Sequence, residues 1–157
     1  MSELILKNAR IVLDDEVVKG TLVVRDGKIA DISTDTSVSS AEDLANDYLI
    51  PGLVELHTDH LEGHYAPRPK VRWNPLAAVL AHDAQICSSG ITTVLDALRV
   101  GMDHDADLTA EEMQILANAI DDSSEKGSLR ADHFLHLRGE VSAPNCHEQF
   151  RGVDGHP

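Results

Sequence analysis

The stretch from Tyr48 to Lys70, YLIPGLVELHTDHLEGHYAPRPK, constrains this chain more than any other. Its apolar run, Leu49 to Leu56, is broken only by Pro51-Gly52 and Glu55. It reads as a buried strand extending to His57. The run ends in a knot of ligand-type side chains: His57, Asp59, His60, Glu62 and His64. Imidazole and carboxylate groups at the carboxyl end of a buried parallel strand are how a (β/α) barrel builds a catalytic metal site. Side chains two apart on a strand point the same way, so His57 and Asp59 can reach one ion.

The segments around this stretch differ in rhythm. Before it, Leu4 to Leu6, Ala9 to Leu13, Thr21 to Arg25 and Lys28 to Ile32 read as short strands. Asp26-Gly27 between the last two is a two-residue hairpin signal. Ser33 to Asn46 is polar and reads as a connection. Residues 1–48 are therefore expected to form a small β unit.

From residue 49 to 157 strands and helices alternate. Pro75 to Ser89 has helical periodicity, with proline in the first turn and Gly90 just past the end. Ile91 to Leu98 is β-branched and strand-like. Thr109-Ala110-Glu111-Glu112 matches a capping box for a helix that Gly127 stops. His133 to Val141 reads as a third strand, ending in Glu140. Strand–helix alternation implies an α/β fold with a parallel sheet. His57, Asp59 and Glu140 then fall at one end of it.

Composition limits the partners. The 157 residues hold 13 basic and 27 acidic side chains, a formal net charge of −14. That balance opposes binding to nucleic acid or to an anionic membrane. No apolar run approaches the roughly 20 residues that span a bilayer, and no secretory signal is visible. The cytoplasm is the default setting. Cys87 and Cys146 form no CxxC pair and read as reduced, unpaired thiols.

The small β unit followed by PGLVELHTD at the start of a βα repeat resembles the amidohydrolase superfamily. Pro51 to Glu62, Ala66 to Pro69, Gly90 to Asp96, and Leu135 to Phe150 (LHLRGEVSAPNCHEQF) resemble its phosphonate-metabolism branch. The resemblance implies the start of a (β/α)₈ TIM-type barrel, preceded by a β-sandwich portion. It also implies hydrolysis of α-D-ribose 1-methylphosphonate 5-triphosphate to the 5-phosphate and pyrophosphate in the carbon–phosphorus lyase pathway. One or two divalent ions, zinc or a similar metal, are implied as the cofactor. His57 matches the first histidine of the superfamily's HxH pair, and Asp59 stands where the second usually stands. Glu140 matches the carboxylate that bridges two metals in some members.

Each residue also has a plainer role. His57 can be a structural histidine, and Asp59 can orient it rather than bind metal. Glu140 can form a salt bridge to Arg138 or Lys70. His60, Glu62 and His64 follow the strand end, where they contact substrate, a second ion or solvent. Arg68, Lys70 and Arg72 form a basic cluster in an acidic chain. Arginine suits bidentate phosphate contacts, and surface pairing is the alternative. Arg68, Lys70, Glu62 and His60 are taken as the substrate-binding candidates. Asp96 reads as support for the metal ligands. His133 and His136 are expected to pack or to face helices. Asp103 to Asp107 lacks EF-hand spacing and reads as a solvated acidic loop. His147 and His156 lie in a terminal segment with no ordered role expected.

A (β/α)₈ barrel takes roughly 250 residues, and about three βα units fit here. The chain is therefore expected to be an N-terminal fragment with an incomplete barrel. The catalytic group that the superfamily's last-strand Asp supplies has no counterpart, so no catalytic residue is assigned. An open sheet edge also invites self-pairing into a homo-oligomer. Two other readings stay open: an amidohydrolase of cyclic amides, resembling dihydroorotase, and a non-catalytic metal-binding or interaction module.

Overall fold

The computed structural model describes residues 2–35, 39–102 and 107–152. The chain divides into two compact units, Met1–Pro51 and Gly52–Pro157.

The first unit is a sheet built from β1 (Glu3–Val12), β2 (Val17–Arg25), β3 (Lys28–Ser33), β4 (Glu42–Asp43) and β5 (Tyr48–Leu49). The order is β3-β2-β1-β4, with β5 also pairing β1. Asp26 and Gly27 have φ of 49° and 78°. These are the two left-handed residues that a tight hairpin needs, and the twist matches the flanking strands. The two strands expected before Leu13 are one strand, with a register shift between Leu6 and Ala9. Asn8 takes φ of 54° there, and its side chain bonds Asp43. Ala9, Ile11 and Leu22 form the core of this unit.

The expected strand from Leu49 to His57 is two strands. Leu49 pairs with Ile11 in the first sheet. Pro51-Gly52 ends that pairing, and β6 (Leu53–Thr58) opens the second unit. A Cβ at position 52 would lie 2.7 Å from the Cβ of Thr92, so only glycine allows this approach.

The second unit continues with α1 (His60–Tyr65), α2 (Pro75–Ser88), β7 (Ile91–Val100), α3 (Ala110–Glu125), β8 (Asp132–Gly139) and α4 (Cys146–Gly152). Its three strands are all parallel, in the order β6-β7-β8. Asn74 caps α2 by accepting from the Ala77 N–H, and Pro75 follows it. Thr109 and Glu112 form the expected capping box on α3. A core of Leu61, Val79, Leu98, Leu116 and Ile120 packs the helices against one face of the sheet.

The other face is open, and this overturns one expectation. The β6 segment is not buried: Leu53, Val54 and Leu56 are 50%, 55% and 67% exposed. As an edge strand, exposed on both faces at Leu53 and Val54, β6 buries Thr58 and little else. The terminal segment is more ordered than expected. Asn145, just before α4, and Gln149 within it accept from Met102 and Gly101 N–H, tying the helix to the end of β7. His147 is an exposed residue of that helix. His156 lies outside the described residues, as does the acidic loop from Asp103 to Ala106.

Candidate functional site

Strand alternation sorts the polar residues of the second unit onto two faces. On β7, Val94, Asp96, Leu98 and Val100 are buried toward the helices. Leu95, Ala97 and Arg99 point the other way. Register places Ala97 beside His136 and Arg99 beside Arg138. The open face thus carries His136 and Arg138 from β8.

His57 joins them. Its ring meets that of His136 edge-on, with centroids 4.9 Å apart. Strands two apart in a sheet are roughly 9–10 Å apart, so the rings reach toward each other above the small Ala97. His136 therefore does not face the helices as expected. Asp59 lies one residue past β6, at the N-cap of α1, and makes no side-chain cap. Its carboxylate is 3.8 Å from His57 Nε2 and accepts from the Arg138 guanidinium. Arg138 also lies 3.8 Å from Glu62 Oε1. Burial pushes the Glu62 carboxyl up, against the pull of Arg138, and Oε1 has no hydrogen-bond partner.

Glu140 follows β8 at the same end, as parallel pairing requires. It pairs with Arg99 at 3.7 Å and accepts from Ser142 Oγ at 2.9 Å. The sequence suggested Arg138 or Lys70 as its partner. Arg138 is instead held by Asp59 and Glu62. The structure brings His57, Asp59 and Glu62 to one end of the sheet. Glu140 reaches that end through Arg99 and not through contact with His57 or Asp59.

The remaining candidates lie around this end. His60 opens α1 and is exposed, with its N–H on Thr58 Oγ1 at 3.2 Å. A cleft along the free edge of β6 is lined by His57, Asp59, His60 and Gln85. His64 Nε2 bonds Gln85 Oε1 at 2.9 Å. Arg68 and Lys70 sit in the connection from α1 to α2. There Val71 N–H donates to Arg68 O at 3.0 Å across a tight turn. Lys70 takes φ of 63° at the turn position that favours glycine or asparagine. Neither side chain has a partner among the described residues. Arg72 does: Glu112 holds its guanidinium, which also donates to Asp107 O.

A second polar group lies on the helix-covered face. The Asp96 carboxylate accepts from His82 Nε2 and His133 Nδ1, both at 2.7 Å. All three side chains are fully buried. His133 Nε2 lies 3.5 Å from Asp83 Oδ1. Asp83 accepts from the Arg130 and Ala131 N–H groups and from the Arg130 guanidinium. Burial opposes ionisation of Asp96, but hydrogen bonds from His133 and His82 outweigh it and hold its pKa low. Burial likewise opposes a charged His133, but Asp96 and then Asp83 hold its pKa above the ordinary value. Two carboxylates thus flank the His133 ring and favour its protonated form, Asp96 by a hydrogen bond and Asp83 at 3.5 Å. His82, Asp96 and His133 also offer ligand atoms within 4.8 Å of one another, a donor set that a zinc-type ion accepts.

The sequence reading missed Arg99, Arg138, His136 and the His82–Asp83 pair as functional candidates. The period-two alternation of His136, Arg138 and Glu140 is the signal that would have found the open-face set.

No family model matches the sequence. The chain is 42% identical over 139 residues to the alpha-D-ribose 1-methylphosphonate 5-triphosphate diphosphatase of Escherichia coli (strain K12). That alignment covers 88% of this chain and 37% of that enzyme. In fold the chain is similar to the L-hydantoinase (dihydropyrimidinase) from Arthrobacter aurescens, with a TM-score of 0.56 and 22% identity. The match covers 97% of this chain and 30% of that one. An amidohydrolase from an environmental sample of the Sargasso Sea matches with a TM-score of 0.52 and 18% identity, over 92% of this chain and 38% of that one. The chain thus spans between 30% and 38% of the length of these proteins. In sequence the chain is thus similar to a ribose methylphosphonate triphosphate diphosphatase over about a third of that enzyme, and in fold it is similar to part of hydantoinase and amidohydrolase structures.

Proposed function

We propose that this chain carries the first strand ends of a metal-dependent hydrolase acting on α-D-ribose 1-methylphosphonate 5-triphosphate. The observation that carries the substrate is the 42% identity over 139 residues to a diphosphatase of that compound. The three parallel strands support a reading of residues 49–157 as the opening of a (β/α)₈ barrel, with 1–48 as a β-sandwich portion. The parallel strand ends then face a barrel interior, where this fold keeps its active sites.

His57, Asp59 and Glu140 are the proposed metal ligands, for one or two ions of zinc or a similar divalent metal. An imidazole and two carboxylates are donor types that such an ion accepts. Arg138 and Arg99 hold the two carboxylates in the structure, and an ion would have to draw them away. When bound, the metal supplies Lewis acidity and a water of lowered pKa. The chain's own residues position the substrate. Arg68 and Lys70 neutralise the triphosphate from the loop above the strand ends, while Glu62 and His60 border the site. Asp59 orients the His57 ring through their 3.8 Å approach. The products are a sugar 5-phosphate and pyrophosphate. No helix among the described residues is long and apolar enough to cross a membrane, and a cytoplasmic setting goes with this small anionic substrate.

One observation favours a second reading, a non-catalytic metal-binding module: the buried His82, Asp96 and His133 form a compact donor set remote from the open face.

The test is a chimera in which this chain replaces the matching segment of the E. coli diphosphatase. The expected result is pyrophosphate release from the ribose triphosphate substrate. A folded chimera that releases none, beside an active parent, removes the diphosphatase reading.

A further inference from the structure

Register on β7 and β8 sets Arg99 directly beside Arg138 on the open face. Like charges paired across adjacent strands repel. Acidic side chains outnumber basic ones 27 to 13 here, so two neighbouring guanidinium groups at a strand end stand out. Neither is a free surface residue. Their side chains are 19% and 34% exposed.

Their counter-charges come from particular carboxylates. Arg138 pairs with Asp59 and lies 3.8 Å from Glu62. Arg99 lies 3.7 Å from Glu140 and donates to Gly101 O at 3.1 Å. Asp59 and Glu140 are also the proposed metal ligands. A carboxylate drawn toward a divalent ion no longer neutralises its guanidinium to the same degree. The two arginines then present concentrated positive charge to the open face. Guanidinium forks match phosphate oxygens in geometry as well as charge.

We propose that Arg99 and Arg138 together form a phosphate-binding site, which Asp59 and Glu140 hold closed until they are drawn away. The identity of the phosphate as part of the substrate's triphosphate rests on the hydrolase reading. The site itself requires only a phosphate group. It differs from the Arg68 and Lys70 loop, because it lies on the sheet and is gated by named carboxylates.

The probe is inorganic phosphate, titrated into the 157-residue chain at low ionic strength, where screening is weak. Asp59→Asn removes the carboxylate charge while keeping its size. It should tighten phosphate binding about fivefold, the scale of one partly exposed charge pair. Adding Arg138→Gln should remove that gain. Glu140→Gln should act likewise through Arg99, and serves if the Asp59 variant fails to fold. A variant-free reading comes from the Nε–H resonances of the wild-type chain. Phosphate should shift those of Arg99 and Arg138 and leave Arg72, which Glu112 holds, in place. Unchanged phosphate affinity in folded Asp59→Asn and Glu140→Gln, or equal shifts at all three arginines, would overturn the proposal. The part of the zinc uptake that His57→Ala abolishes, measured by equilibrium dialysis without phosphate, bears on the hydrolase reading alone. The two failures are therefore separable.

Discussion

Asp96→Ala lowers the free energy of unfolding by about 3–5 kcal/mol, the range for removing one partner of a buried charged pair. The Asp96 carboxylate is the joint acceptor for His82 and His133, each at 2.7 Å, with no solvent to replace it. Its loss strands the two buried ring nitrogens it holds and leaves His133 with Asp83 alone, 3.5 Å away. Denaturant melts with matched slopes give the difference. A loss below about 1 kcal/mol, the scale of one ordinary hydrogen bond, would contradict the clamp.

The same residues set a pH dependence. The folded pKa of His133 is raised, so its stabilisation is full below the unfolded value near about 6.5 and fades as pH rises through the folded pKa. Asp96 and Asp83 have lowered folded pKa values. Their stabilisation is full above about 3.9 and fades as pH falls through those lowered values. Stability from this network is therefore greatest between roughly pH 4 and pH 6.5, and the Asp96→Ala profile is flatter.

His57→Ala in the chimera reduces pyrophosphate release by at least about 100-fold, since even an outer partner of a metal ligand is worth 10–100-fold. His57 is the imidazole on β6 itself, beside both Asp59 and His136. His147→Ala, on the exposed side of α4, is the control and leaves the rate unchanged. A His57→Ala rate within a few-fold of the parent would remove His57 from the chemistry.

The parts of the fold that were legible are those decided locally. The Asp26-Gly27 hairpin follows from two residues that accept positive φ. The starts of α2 and α3 follow from Pro75 in the first turn and from the Thr109–Glu112 box. What was not legible depends on neighbours far along the chain. The apolar letters of β6 say that it belongs in an interior, but not whether anything covers it. Pro51-Gly52 was read as a blemish within one strand, although it is where one sheet ends and another begins. His57, Asp59 and Glu140 were singled out because strand ends collect ligands, yet the partners they take in the structure were not foreseen. Arg138 and Arg99 lie 79 and 41 positions from the carboxylates they neutralise, and no local spacing encodes such pairing. His82-Asp83 sits inside an apolar helical stretch, PLAAVLAHDAQICS. A charged pair there signals a buried polar network, but only the fold supplies Asp96 and His133 to complete it.

The most direct measurement is anomalous diffraction at the zinc absorption edge from crystals of the chimera. The predicted result is a peak at the strand ends beside His57 and Asp59. A peak among His82, Asp96 and His133, with none at His57, would contradict a hydrolytic site on the open face of the sheet.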